Sequence, residues 1–461
     1  MAIGTFQLPI GGTSTTTWTR PSDWLPMPTP ATQEVVGLMA VYNDDSNYVA
    51  LQCQGAYTVD WGDGTVTNYA SNATASRQYV FSTIDPATTT TEGFRQALVR
   101  ITPQSGQNLT LVSFGVTNPT LGKSFAVGWL EFDIRTPNCI PTFSGSSNII
   151  RYGRLEKINV RQWSTASVAN LFNNLYNLKS VYIEPTETSA ITAFNSMFAN
   201  CYTLIEVNAF DTSAGLNVSS MFDSCYSLVT LPLFNFSAST NALGLLQNCY
   251  SLTNVPAIIL GTDASQVFFN CLSLETVGLI NTSNVANFTS MFNTCRSLKI
   301  LPLLDTSKGT NFTSMLASCN SLVETPLFNT ILATNMTGMF NGAQMIQYVP
   351  AFNTANVTTV NQIFNNCTNI RELPAFNLPL CTVFTSWLGA NTTLSKSLVY
   401  GATRSHSYSN MSLSQANIVI IFNNLGTAAG AQTITVSNNI GYAGLTAAER
   451  LIATSKGFTI A

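Results

Sequence analysis

One apolar position recurs at a fixed step through the middle of the chain, and asparagine, serine and threonine fill many of the positions between its copies. The step is 24 residues, except for 22 between Leu246 and Phe268 and 26 between Phe172 and Phe198. A unit of this length is too short to bury its own apolar face, so its copies must stack into a solenoid. We expect the solenoid to span residues 165–395, with the aromatic members of the column in its core. This anchor column holds Phe172, Phe198, Phe222, Leu246, Phe268, Phe292, Leu316, Phe340, Phe364 and Leu388.

Each unit predicts a short helix, an extended segment and a turn. Met221, Phe222 and Cys225 have the spacing of one helix face. The extended segment follows at residues 229–234, where proline recurs in one column of the repeat. Proline lacks an amide hydrogen, so the strand must be short or its pairing must stop there. An Asn or Asp then predicts a turn, often followed by Thr-Ser that can cap the next helix.

Seven of the ten cysteines follow the anchor column by three residues. The same slot holds Leu175, Ala343 and Asn391 in other copies, which indicates a small, largely apolar core position. Zinc sites use cysteine pairs separated by roughly two to four residues, and no such pair occurs in this sequence. We therefore predict a ladder of buried, reduced thiols, with disulfides or a metal site as the alternatives. The seven are Cys201, Cys225, Cys249, Cys271, Cys295, Cys319 and Cys367.

Residues 31–120 alternate between apolar and polar positions over short stretches, as strands do. A Gly-Asp-Gly sequence centred on Asp63 predicts a tight turn between two of them. Regular short strands separated by turns predict a β-sandwich. Asp60 and Asp63 could alternatively bind calcium, but one turn offers too few of the oxygen ligands that calcium requires. A connector and N-terminal cap, residues 121–164, would lead into the solenoid.

The first 30 residues contain Trp18, Arg20 and Trp24 among prolines, outside any periodic element. This composition predicts an extended arm. Either the tryptophans pack on the protein's own sandwich, or the arm inserts into a partner or a neighbouring subunit, since aromatic residues are favoured anchors in buried interfaces. In the second interpretation, Trp18, Arg20 and Trp24 are candidate residues for anchoring the chain in a multi-copy particle.

The last segment, residues 396–461, predicts a mixed α/β cap, because the exposed end of a solenoid must be covered to stay soluble. Residues 418–422 and 432–436 are rich in β-branched side chains and predict strands, and residues 458–460 predict another. A capping box that starts at Thr446 predicts a helix before the last strand.

Charged residues make up only 9% of the chain, and the net charge is −3. This balance gives no electrostatic basis for binding nucleic acid or an anionic membrane. The sequence has neither the roughly 18 consecutive apolar residues of a spanning helix nor the basic start and apolar run of a signal peptide. His406, the only histidine, is predicted to be exposed in a serine-rich loop. No histidine-based catalytic set or metal motif is therefore expected, and no cofactor.

The repeat, Met-Phe-x-x-Cys-x-x-Leu-x-x-Leu-Pro-x-Phe-Asn-Thr-Ser, resembles the BspA-like leucine-rich repeats of bacterial and phage surface proteins. The Trp-Gly-Asp-Gly-Thr stretch at residues 61–65 resembles the core of PKD-type, immunoglobulin-like domains, and the ending from Leu445 resembles that of many phage structural proteins. These resemblances imply an α+β chain, in which a PKD/Ig-like β-sandwich precedes a leucine-rich-repeat solenoid with a C-terminal α/β cap. They imply adhesion or display, and no enzyme activity.

The expected function is that of a bacteriophage virion structural protein exposed on the particle, as a capsid decoration, a fibre or a tail-associated adhesin. Such a protein assembles in the host cytoplasm and needs no signal peptide. Its partners would be other virion proteins, through the N-terminal arm, and a host surface glycan or protein, through the solenoid. The alternatives are a bacterial cell-surface leucine-rich-repeat adhesin, which requires export, and a glycan-processing enzyme that uses paired carboxylates.

Overall fold

A computed structural model describes residues 17–44, 47–116, 128–139, 141–143, 153–163 and 167–461. The first twelve strands are β1 (Glu34–Val41), β2 (Tyr48–Gln54), β3 (Tyr57–Asp60), β4 (Val66–Tyr69), β5 (Thr74–Gln78), β6 (Arg95–Pro103), β7 (Leu111–Ser113), β8 (Trp129–Arg135), β9 (Pro141–Thr142), β10 (Lys157–Gln162), β11 (Ser180–Ile183) and β12 (Glu206–Val207). The others are β13 (Asn254–Val255), β14 (Ile258–Ile259), β15 (Thr276–Val277), β16 (Ile280–Asn281), β17 (Glu372–Leu373), β18 (Lys396–Ser397), β19 (His406–Ser407), β20 (Gln432–Thr435) and β21 (Phe458–Ile460). The helices are α1 (Gln415–Asn424), α2 (Ala447–Thr454) and the 3-10 turns Phe81–Thr83, Pro86–Thr88 and Pro185–Glu187.

Two sheets of largely antiparallel strands enclose the core of the N-terminal region. The first contains β8, β1, β6, β3 and β4 in that order, and the second contains β5, β2, β7 and β9. Both sheets send side chains into one buried cluster, which includes Trp61 and Trp129. The carboxylate of Asp63 accepts a hydrogen bond from the Thr65 N–H and pairs with Arg77. Asp63 is therefore a turn residue, as predicted.

The first sheet continues without a break into the solenoid. β8 is antiparallel to β1 but parallel to β10, and β10, β11 and β12 follow in parallel, so that eight strands form one sheet. The segment expected to be a connector, residues 121–164, thus supplies β8 and β10 to this sheet. The expected sandwich boundary at residue 120 does not coincide with a gap between sheets, because β10 satisfies the backbone groups on the far edge of β8.

The short helix predicted in each unit is wrong. Each unit has instead a run of tight turns whose backbone hydrogen bonds alternate in direction. The N–H of Cys225 bonds to the carbonyl of Phe222 in the same unit, whereas the N–H of Phe222 bonds to the carbonyl of Leu245 in the next unit. Left-handed residues make this alternation possible, with φ of 52° at Ser220 and 61° at Ser224. A continuous helix is excluded because every second amide already serves the neighbouring unit.

Beyond β11, the extended segments of the described units pair only through two-residue strands and single bridges, as the proline column predicted. β13 pairs with β15, and β14 with β16, on either side of Pro256. A buried threonine column links the units further, since the hydroxyl of Thr306 donates to the carbonyl of Asn329 one unit later. The unit between Leu246 and Phe268 is two residues shorter than the usual 24. Its turn passes close to the preceding unit at Gly261, where a Cβ would overlap the carbonyl oxygen of Ser239. The same threonine bond recurs at Thr212, Thr282, Thr330 and Thr354.

The C-terminal segment contains α1, α2 and a parallel sheet of β19, β20 and β21. The strand predicted at residues 418–422 is wrong, because these residues form the middle of α1. The hydroxyl of Ser414 caps this helix by accepting the Asn417 N–H, and burial of one face outweighs the β propensity of the branched side chains. The predicted helix is confirmed as α2, with its capping box at Thr446, and the last two predicted strands are β20 and β21. Among the described residues, no helix is long and apolar enough to cross a membrane.

Candidate functional site

The anchor column lies inside the solenoid. Its aromatic rings stack on those of neighbouring units and are fully buried, so this column supplies packing and presents nothing to solvent. The stacked pairs are Phe172 with Phe198 at a centroid distance of 5.5 Å, Phe198 with Phe222 at 5.2 Å, Phe268 with Phe292 at 5.1 Å, and Phe340 with Phe364 at 5.4 Å.

The cysteine slot is also buried, and its thiols share one kind of partner. The thiol of Cys295 donates to the carbonyl oxygen of Phe268, the anchor of the preceding unit, at 3.1 Å. Burial raises the pKa of the Cys295 thiol well above its usual range, so no reactive thiolate forms near neutral pH. All ten cysteines are buried free thiols. The same hydrogen bond is made by Cys201, Cys225, Cys249, Cys271, Cys319 and Cys367.

The described part of the N-terminal arm packs on the outer face of the first sheet. Trp24 lies in a small apolar cluster with side chains of β1 and β8. Arg20 pairs with the buried carboxylate of Glu131 at 2.6 Å, and the indole N–H of Trp18 donates to Glu156 at 3.1 Å. Of the two interpretations of the arm, the structure has the one in which the tryptophans pack on the protein's own domain. The anchoring role of these three residues in a larger particle stays a prediction, and the first 16 residues of the arm lie outside the described residues.

A polar groove lies on the outer face of the first sheet, where the sheet becomes the solenoid. It runs over β10, β11 and β12 and has a volume of about 520 Å³. In-register pairing of these parallel strands and β8 aligns polar side chains in two rows across the strands. One row is Glu131, Lys157, Ser180 and Glu206, and the other is Asp133, Asn159 and Tyr182, followed by Asn208.

The charges of the groove are matched within the protein. Arg161 makes two hydrogen bonds of 2.7 Å with the buried carboxylate of Asp133. Lys157 lies 3.7 Å from the carboxylate of Glu131, which also pairs with Arg20. Such bidentate and shared ion pairs hold the side chains in defined positions before any ligand arrives.

Asn159 and Tyr182 are the groove residues that can still make contacts with a ligand. Asn159 is only 9% exposed, yet its side-chain amide hydrogen bonds with none of the residues that the structure describes. Tyr182 is 38% exposed, and its hydroxyl donates to Glu184 at 3.2 Å. The side-chain amide of Asn208, by contrast, accepts a hydrogen bond from the N–H of Ile183 and donates one to its carbonyl. Asn208 stands in the proline column, and its side chain there makes the hydrogen bonds that a backbone strand partner would otherwise make.

A row of leucines forms a second exposed feature on the extended segments. Each is between 61% and 76% exposed, and the column follows the proline column by one residue. Neighbouring strands lie about 4.8 Å apart, so three members in consecutive units form a continuous apolar strip. Contiguous apolar surface of this kind marks interaction sites. The leucine row consists of Leu233, Leu279, Leu303 and Leu327.

His406 is buried, so its prediction as an exposed loop residue is wrong. Its ring stacks on Phe384 at 5.0 Å, and Nδ1 lies 2.7 Å from the carbonyl oxygen of Arg404. Burial lowers the pKa of His406 to about 4, which leaves the ring neutral at pH 7. Over the described ranges, no group of three or more His, Cys, Asp and Glu residues is placed to hold a metal ion.

Sequence reasoning found neither the groove nor the leucine row. A signal for the groove was present, since twelve of the 41 charged residues fall between residues 131 and 206. The leucine row was hidden because leucine in a repeat protein is ordinarily counted as core.

The repeat units and their parallel pairing decide the architecture. The array is a leucine-rich-repeat-like solenoid. A family model described as "Mycoplasma protein of unknown function, DUF285" matches residues 143–256 and 262–377, just under half of the chain. Among proteins with curated descriptions, no relative was found.

Two solved structures to which the chain is similar are leucine-rich-repeat proteins. A leucine-rich repeat protein of T. pallidum is 18% identical, with a TM-score of 0.28, over 36% of this chain and 77% of that chain. A leucine rich cell surface protein from Faecalibacterium prausnitzii is 16% identical, with a TM-score of 0.31, over 65% of this chain and 86% of that chain.

Proposed function

We propose that this chain is a non-enzymatic adhesin that binds through the outward face of its extended segments. The observation that carries the proposal is the leucine row, an apolar strip that the solenoid holds in solvent beside the polar groove. Stacked units can repeat the same contact with a partner at a fixed spacing, so many weak contacts together give a high overall affinity. The deeply buried thiols and the neutral, buried His406 support binding without covalent or acid–base chemistry.

We propose a bacteriophage particle as the setting, with the chain exposed as a decoration, a fibre or a tail-associated protein. The ten free thiols support this setting, because a virion protein folds in the reducing host cytoplasm, where disulfides are rare. The two-sheet N-terminal region, with Trp61 buried beside the Asp63 turn, would then act as a PKD-like spacer that joins the array to the particle.

A bacterial cell-surface adhesin is the second candidate. The DUF285 match, described for a Mycoplasma protein, favours a cellular origin. The two settings differ in where the chain is found. Mass spectrometry and antibody-gold labelling of purified particles should detect it on a virion, whereas its presence only in the envelope fraction of cells would assign it to the cell surface.

The adhesive function is tested by incubating the purified chain with host cells and with their envelope polysaccharide. We expect retention on both, with no new reducing ends and no shortened polymer. A chain that is not retained on any host surface would refute the adhesin. Depolymerisation that disappears when one Asp or Glu is replaced would reveal an enzyme.

A further inference from the structure

We propose that the groove over β10, β11 and β12 binds one uncharged sugar unit of a surface glycan, with Asn159 and Tyr182 as its recognition residues. This inference rests on the proposed adhesive function, for which it names a site and a ligand class. The groove lies at the first turns of the solenoid and is separate from the leucine row.

The size of the groove fits a small ligand. Its volume of about 520 Å³ falls within the roughly 300–1,000 Å³ that is usual for small-molecule sites. The floor is formed by the parallel strands, whose backbone groups are already paired. Recognition must therefore come from the side chains that stand above the strands.

Asn159 supplies the polar part of that recognition. Its amide can donate two hydrogen bonds and accept two, and across the described residues it makes none within the protein, although the side chain is nine-tenths buried. Asn159 lines the groove, so its amide is open to a ligand that binds there. Two adjacent hydroxyl groups of a sugar offer the matching acceptor and donor, which Asn159 can engage together.

Tyr182 supplies the apolar part. It is the direct cross-strand neighbour of Asn159, its hydroxyl donates to Glu184, and its ring lines the groove. Aromatic rings of this kind combine an apolar body with a polar tip. The C–H face of a pyranose ring can pack on Tyr182 while its hydroxyl groups turn towards Asn159.

The charges select against an ionic ligand. The two cations that line the groove, Lys157 and Arg161, each face a carboxylate of β8. An anionic sugar would have to displace Asp133 from Arg161, whereas an uncharged sugar leaves every ion pair intact. The carboxylate of Glu131 faces Lys157 and that of Asp133 faces Arg161, while Glu206, the third charged lining residue, accepts a hydrogen bond from Ser180.

The test uses ligand-observed NMR on the full chain with soluble sugars. The uncharged probes are the methyl pyranosides of glucose, galactose and mannose together with N-acetylglucosamine, and the anionic probes are glucuronic acid and N-acetylneuraminic acid. We expect at least one uncharged probe to bind, and Asn159→Ala and Tyr182→Ala each to weaken it by about tenfold, the loss expected for one or two hydrogen bonds or a ring contact. Asn254→Ala and Tyr400→Ala, which change exposed residues outside the groove, should leave binding unchanged.

Other outcomes separate this inference from the adhesive function. If none of the uncharged probes binds, if binding survives both groove substitutions, or if the anionic probes bind more tightly, the groove assignment is overturned even when the chain is retained on host cells. If retention on cells fails but the soluble sugar binds in an Asn159-dependent way, the adhesin is refuted and the groove stands. Should Asn159→Ala not fold, the surface variant Tyr182→Ala decides the question alone.

Discussion

The thiol of Cys225 donates a hydrogen bond to the carbonyl oxygen of Phe198, one unit earlier, at 3.3 Å. This bond explains why cysteine fills a slot that could hold any small apolar side chain. The sulfur packs as a hydrophobe, and its hydrogen satisfies a buried carbonyl group. In the last copy of the slot, the amide of Asn391 makes the equivalent bond to Phe364.

Replacement of Cys225 by alanine should lower the free energy of unfolding by about 2 kcal/mol, because it leaves a buried carbonyl without a donor and opens a small cavity. Cys225→Ser should lose less, since the hydroxyl can still donate. Denaturant unfolding of both variants measures the difference. A serine variant as unstable as the alanine variant would assign the effect to sulfur packing alone.

Native thiols should resist modification. Burial raises the pKa values of Cys225 and Cys295 far above neutrality, so thiol reagents should label none of the ten cysteines at pH 7. After complete unfolding in denaturant, all ten should react. Rapid labelling of Cys225, Cys295 or Cys319 in the folded protein would contradict the inward ladder.

The anchor column should dominate the stability of the array. Phe292→Ala is expected to cost about 3–5 kcal/mol, because its ring is fully buried and the site cannot collapse around the cavity. Leu303→Ala is the matched control in the next extended segment, since Leu303 is 69% exposed and its truncation should change stability by less than about 0.5 kcal/mol. Equal losses in thermal or denaturant unfolding would mean that the leucine row is covered.

Acid should destabilise the C-terminal region through His406. The pKa of His406 is lowered to about 4 in the folded chain, against about 6.5 when unfolded, so the unfolded state binds more protons between these values. Stability should therefore fall by about 3 kcal/mol as the pH falls from 6.5 to 4, and change little further below. His406→Phe keeps an aromatic ring beside Phe384 and removes the titration. The difference in free energy of unfolding between the wild-type protein and this variant should fall as the pH is lowered from about 6.5 to about 4. A difference that does not change with pH would refute the prediction.

The arm should stabilise the domain on which it packs. Arg20→Ala leaves Glu131 buried with only the more distant Lys157, and we expect a loss of about 2 kcal/mol. Lys299→Ala breaks an exposed pair with Glu275 and should cost at most about 0.5 kcal/mol. Denaturant unfolding compares the two. Equal, small effects would indicate that the arm contributes nothing to folding.

The repeating part of the fold could be predicted from sequence because a fixed step turns each column into a ladder. The buried columns and the short strands follow from the amino-acid sequence of one unit. The helix α2 could be predicted because its capping box at Thr446 is a local sequence signal. The turns were misread as a helix because Met221, Phe222 and Cys225 share one side in both structures. The distinguishing signal is confined to the copies in which glycine or asparagine occupies the left-handed positions, for example Gly244 and Asn248.

Features that depend on distant contacts could not be predicted. His406 is buried because Phe384 and Phe458 cover its ring, and nothing near it in sequence announces that packing. The groove combines residues of three strands, and their parallel pairing cannot be deduced from the sequence. Asn159, the residue that distinguishes it, is an ordinary asparagine in a chain rich in asparagine.

The alternating turns make every backbone bond of a unit either internal or shared with an immediate neighbour. The backbone hydrogen bonding of a unit therefore does not depend on how far the unit lies from either end of the array. Loss of residues 287–310, one whole unit, would join Ala286 to Asn311, a residue equivalent to the Asn287 that it replaces. Gene duplication or deletion can thus lengthen or shorten the array in increments of about 4.8 Å. The length of the array can therefore change by one unit at a time while the backbone hydrogen bonds between neighbouring units are kept.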